Sequence, residues 1–96
     1  MMVLITYDVE TLTSDGKRRL RKVAKQCVNY GQRVQNSVFE CVLDNTQFTK
    51  LKYLLENIVD KNSDSLRYYF LGDNWQRRVE HYGAKPTYDP EDVLIV

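Results

Sequence analysis

One carboxylate stands apart in this sequence. Val3-Leu4-Ile5-Thr6-Tyr7 is a short apolar run, and Asp8 follows it directly. A run of this length, rich in β-branched residues, suits a buried central strand. Asp8 then sits where the rigid scaffold ends and a loop opens, the position at which ligand and metal sites gather. The plain reading is a carboxylate that accepts hydrogen bonds from loop amides. The sharper reading is an oxygen ligand for Mg2+, which takes hard oxygen donors in octahedral array. Phosphodiester hydrolysis normally needs two or more acids around its metal. Glu10, Asp15 and Glu40 are loop or rim acids, expected to be solvated. A second copy of the chain would bring a second Asp8 across a two-fold axis, so metal chemistry here depends on dimerisation.

Other catalytic routes find no support in the spacing. There is no GxGxxG, P-loop, GxSxG or HExxH, and no Ser/His/Asp set. Cys27 and Cys41 lie far apart without a CxxC, which reads as two reduced core thiols rather than a disulfide frame or a zinc site. His81 reads as a surface or interface residue, and the tyrosines as core residues.

The positive charge is uneven. The net charge is +1, yet between Gly16 and Phe39 stand seven bases, Lys17, Arg18, Arg19, Arg21, Lys22, Lys25 and Arg33, with no acid among them. On a helix turning ~100° per residue, Lys17, Arg18, Arg21, Lys22 and Lys25 share an arc about 140° wide. Exposed helices usually interleave Glu with Lys. An acid-free arc points to phosphate backbones, bound without regard to sequence.

The elements that must position these groups follow from period. Ninety-six residues at 43% hydrophobic and 28% charged make ordinary globular material, read as one domain with a core at 1–72 and a strand and tail at 73–96 placed at a dimer interface. Ser14 or Asp15 is the expected N-cap of a helix from Lys17, with an apolar stripe of Leu20, Val23, Ala24, Cys27 and Val28 and a stop at Gly31. Gln32–Leu43 reads as a bent strand or two strands joined at Asn36-Ser37. Asp44 with Gln47 forms a capping box before a second stripe, Phe48, Leu51, Leu55, Ile58 and Val59, running to about Asp60. Leu66–Leu71 alternates as a strand, and Arg78–Tyr82 is a further candidate. Pro86 and Pro90 punctuate an extended tail ending in Val93-Leu94-Ile95-Val96, which pairs in cis or with a partner. The order is β-α-β(β)-α-β: an α+β, ferredoxin-like sandwich with two helices on one antiparallel sheet. No apolar run approaches the ~18 residues a membrane span needs, and Met1–Ile5 lacks a basic n-region, so a cytoplasmic protein is expected.

Three segments, Tyr7-Asp8-Val9, Arg18-Arg19-Leu20-Arg21-Lys22-Val23-Ala24 and Gly31-Gln32-Arg33-Val34-Gln35-Asn36-Ser37-Val38-Phe39-Glu40, together resemble one family. It is the small universal CRISPR-associated adaptation protein, and the likeness runs over essentially the whole chain. The stretch around Asn74-Trp75 and Val79-Glu80-His81 resembles one of its subtypes. The resemblance implies a prokaryotic ferredoxin-like homodimer with Asp8 at the two-fold axis as a shared Mg2+ ligand. It implies a metal-dependent endonuclease, acting on RNA or DNA, that takes part in spacer acquisition in antiviral defence. The alternative it implies is a non-catalytic scaffold that binds duplex DNA and bridges subunits of an integrase partner. Arg33 and Phe39 match positions the family associates with activity or nucleic-acid contact. Arg18 and Arg19 match approximately, and with Arg21 and Lys22 they complete the expected nucleic-acid-binding set. Asn36 stands where the family often carries Tyr. Apart from the family, a ferredoxin-like RNA-binding or toxin-like ribonuclease domain fits the same pattern.

Overall fold

Alternation shapes β1 (Met2–Asp8): Val3, Ile5 and Tyr7 are buried, while Met2, Leu4, Thr6 and Asp8 take the opposite face. The structure, a computed structural model, describes residues 1–71 and 79–84. α1 (Ser14–Tyr30) begins earlier than the expected Lys17 because Thr13, not Ser14 or Asp15, caps it; the Gly16 amide donates to Thr13 Oγ1 at 3.0 Å. Its stripe buries Val23 and Cys27, with Leu20 and Ala24 packed against them. Val28 departs from the expected stripe and is 58% exposed. At ~100° per residue it falls about 20° from Lys17, inside the basic arc.

The chain passes from α1 straight into β2 (Gly31–Gln35). Gly31 has an extended φ of −158°, so no left-handed turn ends the helix there. Glycine is needed for closeness instead: a Cβ would overlap the Cys41 Sγ and the Glu40 carbonyl of β3 (Val38–Val42). Of the two readings of 32–43, the hairpin joined at Asn36-Ser37 is the one found, with a register shift between Arg33 and Gln35. α2 (Asn45–Ile58) opens on the expected capping box: the Gln47 amide donates to Asp44 Oδ1 at 2.7 Å, and the Asp44 amide to Gln47 Oε1 at 3.0 Å. It buries Phe48, Leu51 and Leu55 and ends before Asp60. β4 (Ser65–Leu71) turns Leu66, Tyr68 and Phe70 inward. β5 (Val79–Gly83) flanks it, held to α2 by a 2.7 Å ion pair from Lys52 to Glu80.

The sheet order is β2-β3-β1-β4-β5, every neighbouring pair antiparallel. The inner face, under both helices, carries one core from Val3, Ile5, Phe39, Cys41, Leu66 and Tyr68 to Val23, Cys27, Leu51 and Leu55. This is the expected α+β ferredoxin-like arrangement with one further strand. Arg78, Asn74-Trp75, Pro86, Pro90 and the Val93–Val96 tail lie outside the described residues. No helix among the described residues is long and apolar enough to cross a membrane.

Candidate metal and nucleic-acid site

Because β1 is the middle strand and its register fixes its neighbours, the face away from the helices can be read row by row. Met2 lies between Val42 and Leu71, Leu4 between Glu40 and Tyr69, Thr6 between Val38 and Arg67, and Asp8 beside Ser65. Arg67 in turn pairs with His81 of β5. One end of this face is apolar, with Val42 72% and Leu71 48% exposed. The other end is ionic, and the exposed Asp8 belongs to it.

Arg67 was not among the expected site residues. The alternation of β4 puts it on the same face as Asp8, with charge interaction between the two groups. Burial lowers the Arg67 pKa, and Tyr69 and Asp8 oppose that shift. Its Nε donates to His81 Nδ1 at 2.9 Å, and His81 Nε2 faces the Gly83 carbonyl at 3.2 Å, which fits a neutral ring protonated on Nε2. As a hard, exposed oxygen donor, Asp8 suits Mg2+ by type. Among the described residues no three His, Cys, Asp or Glu side chains converge to hold a metal ion. One chain thus brings a single carboxylate to this end of the face; Glu40, on the same face, stands two rows away beside Leu4.

The basic arc forms on α1 as the period predicts: Lys17, Arg18, Arg21, Lys22 and Lys25 are all exposed. Arg18 touches Asp15 at 2.9 Å in an open pair, of a kind that contributes little and exchanges readily. Between this arc and the last turn of α2 runs a cleft of about 360 Å³ lined by Asp15, Arg18, Arg19, Lys22, Asn57 and Ile58.

Two candidates sit elsewhere than expected. Arg19 is turned toward the protein: its Nε donates to Asp64 Oδ2 at 2.7 Å, and its side chain is only 19% exposed. Phe39 is fully buried, stacked near Tyr7 with centroids 6.1 Å apart, so its ring offers no face to a base. Arg33 is exposed and lies 5.1 Å above that ring, so it is the guanidinium, not the phenyl, that reaches solvent. The two cysteines are core thiols. Burial pushes Cys27 up to about 12 and Cys41 up to about 11, leaving no thiolate at neutral pH.

Asp64 was missed altogether. It is completely buried, and burial alone would raise its pKa. Hydrogen bonds from Arg19 and from the amides of Asp60 and Glu10 outweigh that and hold it low. Its sequence signal is weak, an acid before an alternating strand with its partner 45 positions away.

Comparison with known proteins places these features in a family. Residues 1–79 match the family described as "CRISPR associated protein Cas2". A protein of Halalkalibacterium halodurans named CRISPR-associated endonuclease Cas2 is 62% identical over 95 residues, 99% of each chain. One of Nitratidesulfovibrio vulgaris, named CRISPR-associated endoribonuclease Cas2, is 58% identical over 96 residues, all of this chain and 94% of the relative. The crystal structure of Streptococcus pyogenes Cas2 at pH 6.5 is similar with a TM-score of 0.71 and 61% identity, covering 83% of this chain and 96% of that one.

Proposed function

This chain belongs to the family of CRISPR-associated Cas2 proteins, and we propose that it is a Mg2+-dependent endonuclease that works as a two-fold dimer during spacer acquisition. The observation that carries the reading is the exposed Asp8 at the end of β1, on a face that also bears Arg67. The apolar end of that face, with Met2, Leu4, Val42 and Leu71, gives a second copy something to cover. A domain of this size gains stability from such association. Docked about a two-fold axis, the second copy supplies the second Asp8.

In this reading the two Asp8 carboxylates hold Mg2+, which when bound offsets the charge that develops on the phosphoryl oxygens. Arg67 keeps positive charge on the same face and draws the phosphodiester to it. Arg18, Arg21 and Lys22 hold backbone phosphates at the arc, which makes binding indifferent to sequence. The names of the relatives, endonuclease for one and endoribonuclease for another, leave RNA and DNA both in play as substrates. One observation favours a second reading, a scaffold that binds duplex DNA and bridges an integrase: an extensive basic arc on α1, while no three metal-ligating side chains converge among the described residues.

The two readings separate in a cleavage panel of single- and double-stranded RNA and DNA, with and without Mg2+, for wild type and Asp8→Asn. Asn is nearly isosteric, so folding and duplex affinity should stay close to wild type. Removing one catalytic electrostatic interaction typically costs ~10²–10³ in rate, and both copies change. Full Mg2+-dependent cleavage by purified Asp8→Asn dimer would overturn the enzyme reading and leave the scaffold.

A further inference from the structure

We infer that Arg19 and Asp64 are positioning residues: an ion pair on a buried carboxylate that ties together the two backbone segments carrying the Asp8 rung and so fixes where the Asp8 carboxylate stands. The inference rests on the metal-site reading of Asp8 given above.

Asp64 gathers four other parts of the chain on one residue. Its carboxylate accepts from Arg19 Nε at 2.7 Å and Arg19 Nη2 at 3.3 Å on α1, from the Glu10 amide at 3.0 Å in the β1–α1 loop, and from the Asp60 amide at 2.9 Å after α2. Its backbone carbonyl accepts from Ala84 at 2.8 Å, just past β5. Asp8 lies two residues before Glu10, and its ladder partner Ser65 is the residue after Asp64. The strand end on one side and the strand start on the other are therefore anchored to the same carboxylate.

A second layer stiffens the loop. The Glu10 carboxylate accepts from the amides of Leu12 and Thr13 and from Thr13 Oγ1, and stands 3.8 Å from Arg19 Nη2. A Cβ on Gly16 would overlap the Glu10 carbonyl, so the first turn of α1 presses directly on the loop. Arg19 spends its planar fork inward, and an Arg so engaged is a poor phosphate contact. Reaction geometry tolerates little slack: a displacement of about 1 Å can cost ~10²-fold in rate.

The experiment compares wild type with Asp64→Asn, Arg19→Gln, Arg19→Lys and the double variant Arg19→Gln/Asp64→Asn. The double variant strands no buried charge and keeps the comparison open if a single variant fails to fold. For each, duplex affinity with its salt dependence, kcat and KM, and Mn2+ affinity by electron paramagnetic resonance are measured well below its melting temperature, with Asp8→Asn as the reference for loss of the ligand. Expected are unchanged duplex affinity and KM, a fall in kcat, and Mn2+ affinity about 10–100-fold weaker, as for lost outer-shell support. The double variant should be no worse than the worse single one, and Arg19→Lys should recover part of both readouts. Folded variants with wild-type kcat and Mn2+ affinity would overturn the inference. So would weaker duplex binding and a flatter salt slope for Arg19→Gln alone, which would make Arg19 a phosphate contact. Wild type that cleaves nothing yet binds Mn2+ through Asp8 sinks only the nuclease reading, and the Mn2+ series still decides the positioning role. Wild type with no Asp8-dependent Mn2+ binding overturns both.

Discussion

Phe39 offers the cleanest separation of core from contact. Its ring is fully buried, stacked near Tyr7 at 6.1 Å and covered by the Arg33 guanidinium at 5.1 Å. Truncating such a ring to alanine costs about 3–5 kcal/mol, a large part of the ~5–15 kcal/mol that holds a small domain folded. At ~4–8 °C per kcal/mol for a domain of this length, Phe39→Ala should melt at least ~12 °C below wild type. Phe39→Leu keeps an apolar side chain of nearer volume and should cost about 1–2 kcal/mol. Thermal unfolding reads the first effect. Fluorescence anisotropy with a labelled duplex, run where the variants are folded, reads the second. If Phe39 acts only by packing, Phe39→Leu binds duplex like wild type, and any loss in Phe39→Ala follows its unfolded fraction. A Phe39→Leu protein that melts within a few degrees of wild type but binds duplex tenfold more weakly would refute this, because stability could no longer explain the loss.

Three further outcomes are expected. Changing Arg18, Arg21 and Lys22 to Gln should weaken unrelated duplexes about equally and flatten log K against log salt by ~0.9 for each phosphate no longer neutralised; an unchanged slope would make the arc a merely solvated face. Asp64 has a folded pKa held below its unfolded value of ~3.9, so between the two the unfolded chain binds more protons and stability rises with pH. Its contribution is complete above ~4 and lost as pH falls through the folded value; Asp64→Asn should flatten that acid limb of the melting profile, and a limb parallel to wild type would contradict the assignment. Val42→Glu or Leu71→Glu, both at exposed positions on the sheet face, should leave the fold intact and shift sedimentation from dimer toward monomer; an undiminished dimer would move the interface elsewhere.

The sequence was most readable where local period and capping decide the outcome. The Asp44/Gln47 box and the β4 alternation form as their spacing predicts because both depend on residues a few positions apart. Long-range partners were not readable. Nothing near Asp64 announces an arginine 45 residues earlier, and the overlap that demands glycine at Gly31 arises only once β2 lies beside Cys41. Phe39 entered the expected contact set by family position, whereas its strand alternation with Cys41 on the inner face matches a core role. Arg19 is different, because its signal was present. At ~100° per residue it falls outside the basic arc and about 40° from Val23, on the flank of the apolar stripe.

That angular offset gives two adjacent arginines opposite work. Arg18 points to solvent and meets Asp15 in a pair whose side chains are 60% and 73% exposed. Such a pair contributes ~0–1 kcal/mol, so an incoming phosphate can take the guanidinium at little cost. Arg19, one residue on, meets a carboxylate with no solvent exposure. Drawing Arg19 outward would leave the buried Asp64 carboxylate with two amide donors and no positive partner, a far larger penalty than opening an exposed pair. A single exposed phosphate contact cannot offset that. The affinity of the proposed nucleic-acid surface is therefore expected from Arg18 and its arc neighbours, with Arg19 expected to stay on Asp64 when nucleic acid binds. The geometry around Asp8 is then insensitive to salt even where duplex binding is steeply salt-dependent, since screening weakens exposed charges and leaves buried ones largely unaffected.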